Sequence, residues 1–209
     1  MIDNVKQIWT DAFKTVLDDN QRGASSIEYT QKIFANLNDF FHRYNITSMF
    51  DAGCNDAAWI NNLNLAVKYQ GGDISSSIIR SNKNHNLNLI EHDIRQDPIP
   101  QCDLLWIRDV MIHLTDQDRR SVLKNWLKSN IPWIMMTQCD SVINQDIVYD
   151  NKIQCSETNW YAAPWNFPKG VDYIWEMCDV NLMGRKMELW HRDQIYHLAC
   201  IEHDFRTQQ

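Results

Sequence analysis

The sequence predicts an α/β fold with a mostly parallel central sheet, and two patterns carry this prediction. Short apolar runs rich in β-prone residues alternate with segments of helical periodicity through the middle of the chain. Strands that alternate with helices pair in parallel and carry helices on both faces of the sheet. Near the end, two alternating segments, 171–180 and 186–190, flank Asn181-Leu182-Met183-Gly184, which predicts an antiparallel closing hairpin.

Each predicted element has a local signal. Apolar residues at helical spacing predict helices at 5–17 and 26–43, and Ser26 is suited to cap the second. The run Ile46–Phe50 predicts the first strand, after which Asn55 or Asp56 is suited to cap a helix. Further elements are predicted as strands at 65–70, 87–91, 104–108 and 133–137 and as helices at 75–83 and 116–129. The stretch 138–171 has no clear period, which in a compact domain more often indicates function.

The composition is that of an ordinary globular protein. A chain of 209 residues, 44% hydrophobic and 22% charged, fits one domain with a sizeable core. The net charge of −7 argues against nucleic acid as a partner and against binding to an anionic membrane surface. Six cysteines without a Cys-x-x-Cys pair predict reduced, mostly buried thiols. Since there is no apolar run of membrane-spanning length and no leader-like start, we expect a cytoplasmic protein without membrane insertion; the oligomeric state is left open.

The first predicted strand ends in a turn suited to a nucleoside ligand. Asp51 and Gly53 lie at its carboxyl end, where open parallel sheets bind ligands. Asp73 follows Gly53 by 20 positions, the offset at which a carboxylate accepts hydrogen bonds from a ribose diol. A dinucleotide fingerprint needs three glycines and this turn has one, so NAD is disfavoured.

Four motifs in this order resemble the class I S-adenosylmethionine-dependent methyltransferases. They are Asp51-Ala52-Gly53-Cys54, Gly71-Gly72-Asp73-Ile74, His92-Asp93-Ile94 and the run from Cys102 to Asp109. Asn55 stands where that family usually has glycine, and asparagine tolerates positive φ better than most residues. The resemblance implies a Rossmann-like fold with a helical lid (1–45), a cofactor-binding core (46–138) and an acceptor side with closing strands (139–209).

The same resemblance implies a cofactor site for S-adenosylmethionine, with S-adenosylhomocysteine as product. Asp73 would accept the ribose hydroxyls, Asp51 would lie near the methionyl end, and Asp93 and Ile94 would border the adenine. The full set of cofactor-binding residues implied in this way is Asp51, Ala52, Gly53, Cys54, Trp59, Asp73, Ile74, Asp93, Ile94, Arg108 and Arg22. Trp59 is also expected to pack the first helix against the sheet, and Arg22 equally fits a plain turn between helices.

The second half resembles a narrower group of bacterial methyltransferases that are often encoded among capsule and surface-polysaccharide genes. The motifs that carry this likeness include Asn144-Gln145-Asp146-Ile147, Pro164-Trp165-Asn166-Phe167-Pro168 and Lys186-Met187-Glu188-Leu189-Trp190. It implies O-methylation of a saccharide or polysaccharide precursor, including a phosphoramidate-type modification. Asn144, Asp146, Trp160 and Trp165 are the predicted acceptor-binding residues. The alternative for the aromatic residues is that they anchor the loop to the core.

Asp109 and His113 are the candidate catalytic residues. They follow the fourth strand, four positions apart, and would share a helical face if this turn were helical. A histidine with a pKa near 6.5 suits a general base, so we expect His113 to take the acceptor proton and Asp109 to orient it or the acceptor. The alternative is structural: His113 packs the next helix and Asp109 pairs with Arg108. A metal bound by Asp109, His113 and Asp146 is a weaker alternative, and no metal is predicted.

Two other functions remain open at this point. A small-molecule or RNA methyltransferase would share every cofactor motif, although the acidic composition weighs against RNA. A methyltransferase-like fold that serves as a non-catalytic binding module would bind the cofactor without turning over any acceptor.

Overall fold

A computed structural model describes residues 2–12, 25–82, 86–140, 143–149, 154–176 and 184–198. The helices in these ranges are α1 (Ile2–Ala12), α2 (Ile27–Ile33), α3 (Leu37–Arg43), α4 (Ser76–Ser81), α5 (Asp116–Lys128) and α6 (Arg192–Ile195). The strands are β1 (Ser48–Ala52), β2 (Lys68–Asp73), β3 (Asn88–Glu91), β4 (Leu104–Ile107), β5 (Trp133–Cys139), β6 (Asp172–Trp175) and β7 (Arg185–His191).

The seven strands form one sheet in the order β3-β2-β1-β4-β5-β7-β6. The first five strands are parallel, whereas β7 runs antiparallel to both β5 and β6. This arrangement confirms the predicted parallel sheet with an antiparallel closing hairpin. The strand order reverses between β1 and β4, and in open α/β sheets the crevice at such a reversal receives ligands.

Helices cover both faces of the sheet, as predicted. On one face, α2 and α3 and the turn between them bury Phe34, Leu37, Phe40 and Phe41 against β1, β4 and β7. On the other face, α5 buries Val122, Leu123 and Trp126. All four residues of β4 are inaccessible to solvent, which places the middle of the core there.

The segment after β1 differs from the prediction. Instead of an α-helix capped by Asn55 or Asp56, it forms a short 3₁₀ helix, Ala58–Asn62, without a side-chain cap. The Asn55 and Asp56 side chains instead accept hydrogen bonds from the amides of Asp56 and Ala58. Asparagine and aspartate favour such local turns over helix, which explains the difference.

The predicted helix at 26–43 is two helices. Ser26 caps α2 as predicted, with its hydroxyl 3.3 Å from the amide nitrogen of Tyr29. The break at 34–36 lets the Phe34 ring pack between Trp59 and Trp106, at centroid distances of 5.3 and 5.2 Å. The predicted first helix is α1 up to Ala12, and its remaining residues fall outside the described ranges.

Strand β2 extends three residues beyond its predicted end and includes Gly71 and Gly72. A Cβ on Gly71 would lie 2.8 Å from the Cys54 sulfur, and one on Gly72 would lie 2.5 Å from the Phe50 ring. These glycines therefore serve close packing inside the strand rather than a turn.

The cysteines of the described ranges are free thiols, and three of them, Cys54, Cys102 and Cys139, are buried as expected. Cys155 is exposed. Among the described helices, none has the length and apolar character needed to cross a bilayer.

Replacing Arg119 with alanine is expected to lower the free energy of unfolding by about 3 kcal/mol. The fully buried Arg119 guanidinium donates to the carbonyls of Met111 and Ser156 and to Asp116, and the variant leaves all three without this partner. Urea denaturation measures the loss. Lys128→Ala, an exposed change on the same helix, is the control, and equal stability of the two variants would contradict the prediction.

Candidate active site

A cavity of about 340 Å³ opens at the carboxyl ends of β1, β2 and β4. Its volume lies within the range of small-molecule sites. The residues that line it are Val5, Trp9, Ser25, Gly53, Asn55, Asp73, Ile74, Ile78, His92, Asp93, Ile94, Arg95, Arg108, Asp109, Val110, Ile112, His113, Leu114 and Arg185. This set includes most of the residues predicted for the cofactor and both of those predicted for catalysis.

The turn after β1 brings backbone close to the cavity. Gly53 has φ +78°, and a Cβ there would lie 2.1 Å from a methyl carbon of Val110, so only glycine fits. Asn55 also has positive φ, +54°, which accounts for asparagine at this position. Gly53 and Cys54 donate their amide protons to the carbonyl of Gly72, which fixes the turn against β2.

Asp73 ends β2 on the cavity wall. Each carboxylate oxygen accepts one backbone N–H, from Asn55 at 3.0 Å and from Ser75 at 2.9 Å. Burial raises the pKa of Asp73, and these two hydrogen bonds oppose the increase. Since a carboxylate has about four lone-pair sites, two remain for the hydroxyls of a ligand.

Asp51 lies in a smaller cavity of about 50 Å³ whose wall shares Gly53, Asn55 and Arg108 with the larger one. Its carboxylate accepts hydrogen bonds from the Trp59 indole and the Tyr69 hydroxyl, at 3.1 and 2.8 Å. Burial raises the pKa of Asp51 to about 6, against the opposing effect of these two donors. Asp51 is therefore a buried carboxylate whose ionised form a nearby cation would stabilise.

Of the other residues predicted to bind the cofactor near Asp51, some line a cavity and others do not. Trp59 lines the smaller cavity and stacks on Trp106 at a centroid distance of 5.8 Å. Cys54 also lines the smaller cavity, whereas Ala52 is buried and lines neither. Arg22 lies outside the described residues.

The segments after β2 and β3 form another part of the cavity wall. Ile74 and Ile78, which follow β2, and Ile94, which follows β3, present an apolar surface. The Asp93 carboxylate pairs with Arg95 at 2.7 Å and accepts further bonds from Arg95 and Gln96. Burial would raise the pKa of Asp93, but Arg95 outweighs it and the pKa is lowered. Asp93 is thus ionised and already well supplied with donors.

Four charged side chains, buried or mostly buried, form a closed ring at the cavity wall. The Glu176 carboxylate bridges Arg108 and Arg185, with both oxygen–nitrogen distances 2.6 Å. Asp109 closes the ring by pairing with Arg185 and, at 3.6 Å, with Arg108. Two guanidinium groups and two carboxylates leave the ring with no net charge. We refer to these four residues as the charge ring.

Asp109 is held in an unusual backbone conformation, with φ +59°. Its amide donates to the Thr137 hydroxyl at 3.0 Å, and that hydroxyl donates to the Asp109 carboxylate at 3.2 Å. Burial would raise the pKa of Asp109, but Arg108 and Arg185 lower it below its usual value. Asp109 is therefore ionised near neutral pH and is a poor base.

His113 ends a 3₁₀ turn, Met111–His113, and lines the cavity. Its Nδ1 lies 2.9 Å from the carbonyl oxygen of Gln154, and a carbonyl only accepts, so Nδ1 carries the proton. In the neutral ring, Nε2 then holds a lone pair. Burial lowers the pKa of His113, so the ring is neutral at pH 7. The Trp9 ring packs against it at a centroid distance of 5.1 Å.

Asp109 and His113 would share a helical face only if the turn between them were helical, and this condition is not met. Asp109 precedes the 3₁₀ turn with positive φ, so the two residues do not share a helical face. The Asp109 carboxylate pairs with Arg108, as in the structural alternative, and also with Arg185. His113 is oriented by the Gln154 carbonyl instead of by Asp109. In the described part of the chain, no three His, Cys, Asp or Glu side chains are grouped to hold a metal ion, so the alternative metal trio does not assemble.

The four predicted acceptor-binding residues lie away from the cavity wall. Trp160 and Trp165 are fully buried and pack on each other at 5.0 Å, which confirms the alternative that they anchor the loop. Asn144 ties this loop together through bonds to the Asn159 and Ala163 carbonyls. Asp146 accepts the Asp116 amide at the start of α5.

Among the cavity-wall residues that the sequence analysis did not predict are Val5, Trp9 and Arg185. Val5 and Trp9 share the apolar stripe of α1, which indicates burial but not what is buried. Arg185 directly follows Gly184, and nothing in the sequence relates it to Asp109, 76 residues away.

No known family model matches the sequence, and no curated protein matches it. Solved structures match the fold. Magnesium protoporphyrin IX methyltransferase from Synechocystis PCC 6803 with bound S-adenosylmethionine aligns over 89% of this chain and 96% of its own, with 12% identity and a TM-score of 0.61. The methyltransferase domain of bacterial CtHen1 aligns over 78% and 99%, with 14% identity and a TM-score of 0.56. Human N-acetylserotonin methyltransferase aligns over 91% and 64%, with 14% identity and a TM-score of 0.50. The chain therefore has the Rossmann-like fold of class I methyltransferases.

Proposed function

We propose that this protein is an S-adenosylmethionine-dependent methyltransferase. The observation that carries the proposal is the cavity at the carboxyl ends of β1, β2 and β4, where Gly53, Asp73 and Ile94 surround space for a nucleoside. The Synechocystis enzyme of the same fold was crystallised both with S-adenosylmethionine and with S-adenosylhomocysteine, which supports this choice of ligand.

The residues present fit this cofactor. Asp73 keeps lone pairs for a ribose diol, and Ile78 and Ile94 offer apolar contact to an adenine ring. Asp51 offers a buried carboxylate to the methionyl ammonium group. When bound, the cofactor supplies an electrophilic methyl group, so the protein needs mainly to position the acceptor and take its proton.

His113 is the proposed base. Its unprotonated Nε2 takes the proton of an acceptor hydroxyl, while the Gln154 carbonyl holds the ring orientation through Nδ1–H. Asp109 orients the acceptor by accepting a hydrogen bond, because Arg108 and Arg185 keep its carboxylate ionised. The two residues thus have separate roles.

A saccharide or surface-polysaccharide precursor is the proposed acceptor, with a hydroxyl as the methylated group. The support is the resemblance of the second half of the sequence to capsule-associated methyltransferases. The proposed domain division keeps 139–209 as the acceptor side, although Trp9, which packs on His113, extends this side to α1. A cytoplasmic location remains part of the proposal. A binding module without turnover is the second candidate, and the test of His113 below separates the two.

Asp73→Ala is expected to weaken S-adenosylmethionine binding about 10- to 100-fold, through loss of hydrogen bonds from the ribose to a charged acceptor. Isothermal titration with S-adenosylmethionine and S-adenosylhomocysteine measures the affinity, with NAD as the negative ligand. Asp39→Ala, an exposed change on α3, is the control. If Asp73→Ala bound the cofactor as tightly as the parent, the ribose assignment would be wrong.

Cofactor binding is expected to release a proton near pH 6. Burial raises the pKa of Asp51 to about 6, so this group is half protonated there, and a neighbouring ammonium group lowers its pKa again. Affinity should therefore rise from pH 5 to 7 and then level off, with release of about half a proton at pH 6. Titrations in buffers of different ionisation enthalpy measure the release. Asp51→Asn should abolish it, and an unchanged release in that variant would exclude Asp51 as the source.

His113→Gln is expected to lower kcat about 10²- to 10⁴-fold and leave cofactor affinity unchanged. Turnover is measured as S-adenosylhomocysteine formation with an acceptor found by screening nucleotide sugars and polysaccharide fragments. The parent's kcat should fall with acid as His113 is protonated, with a midpoint below 6.5, because burial lowers its pKa. His42→Gln, on the exposed side of α3, is the control. Cofactor binding without turnover of any acceptor by the parent would favour the binding module.

A further inference from the structure

We call the part of the cavity lined by Trp9, Asp109, His113 and Arg185 its acceptor half. We infer that this half receives an uncharged, hydroxyl-bearing group, held between the Asp109 carboxylate and the Arg185 guanidinium. The inference rests on the proposed function and narrows its acceptor class, because saccharide precursors include both neutral and phosphorylated forms. Its basis is the charge ring, Arg108, Asp109, Glu176 and Arg185, of which three residues line the cavity.

Arg185 has hydrogen-bonding capacity left over. It donates through Nε to Glu176 and through Nη2 to Asp109. Its Nη1 has no hydrogen-bond partner within the described ranges, although the residue is only 8% exposed and lines the cavity. A guanidinium carries five N–H donors, so a buried one with unused donors at a cavity is positioned to bind a ligand oxygen.

Asp109 supplies the complementary acceptor. Its Oδ1 accepts from Thr137 and Arg185, while the one contact of Oδ2 with the described residues is the 3.6 Å ion pair with Arg108. The Asp109 side chain is 19% exposed, the most of the four members of the charge ring. A hydroxyl can donate to this oxygen and accept from Arg185 Nη1 at the same time, without any change in charge.

The fixed charges explain why a neutral group is favoured. Each guanidinium of the charge ring already faces two carboxylates, so an added anion would meet Asp109 and the buried Glu176 without a free counter-charge. An added cation would meet two guanidinium groups. Burying an unpaired charge is costly, whereas a hydroxyl with both partners is not.

Glu176 offers a direct test, because it contributes one negative charge and is almost inaccessible to solvent. Glu176→Gln preserves shape and changes the charge ring from neutral to +1. We expect inorganic phosphate, titrated by calorimetry at pH 7, to show no saturable binding to the parent at millimolar concentration. The variant should bind phosphate at least about tenfold more tightly, as one uncancelled buried charge predicts.

The control is Glu188→Gln, which removes a second buried, ion-paired glutamate that pairs with Lys186 and lies outside the cavity wall. It should bind phosphate no better than the parent. Asp109→Asn removes a negative charge from the more exposed side of the charge ring and should reproduce the gain if Glu176→Gln fails to fold, as checked by thermal unfolding.

Three results would overturn the inference: phosphate binding by the parent as tight as by Glu176→Gln, no gain in either charge-ring variant, or an equal gain in Glu188→Gln. None of these titrations uses the cofactor, so their outcome is independent of whether the protein binds S-adenosylmethionine. If the parent bound no S-adenosylmethionine but the phosphate titrations gave the expected results, the methyltransferase proposal would be refuted and the inference about the charge ring would stand.

Discussion

The mutual neutralisation of Arg108, Asp109, Glu176 and Arg185 is the constraint on which the site depends. None of these charges could be buried alone, and each is stabilised only if strands from distant parts of the sequence meet. Arg108 and Asp109 follow β4, Glu176 follows β6 and Arg185 begins β7. The charge ring therefore joins the parallel core to the closing hairpin at the edge where the cavity opens.

This constraint also determines what the titratable groups beside it can do. Because two guanidinium groups hold Asp109 ionised, that residue cannot serve as a base near neutrality. His113 lies outside the ion pairs and is kept neutral by burial, so it has the only suitable lone pair of the two. The positive φ of Asp109 fits the same account: ion pairs on one side and Thr137 on the other hold it there.

The sequence was enough to place part of the cavity wall, Gly53 and Asp73 from local signals and Ile94 from the family resemblance. Gly53 follows β1, Asp73 ends β2 and Ile94 lies soon after β3, and parallel strands bring their carboxyl ends to one edge. Periodicity likewise predicted the sheet and α5. It failed after β1, where the Asn55 and Asp56 side chains compete with the helix, and at 34–36, where packing of Phe34 divides one helix into two.

The acceptor half could not be predicted in this way, because its residues meet only through the tertiary fold. Trp9 comes from α1, His113 from the turn after β4 and Arg185 from β7. Trp160 and Trp165 were predicted to bind the acceptor because they are aromatic residues in an irregular stretch, but both are buried in the core. A fold shared at 12–14% identity likewise leaves the acceptor undetermined. Three physical features of the described cavity wall limit the proposed acceptor: the net-neutral charge ring, the Trp9 ring and the unprotonated nitrogen of His113.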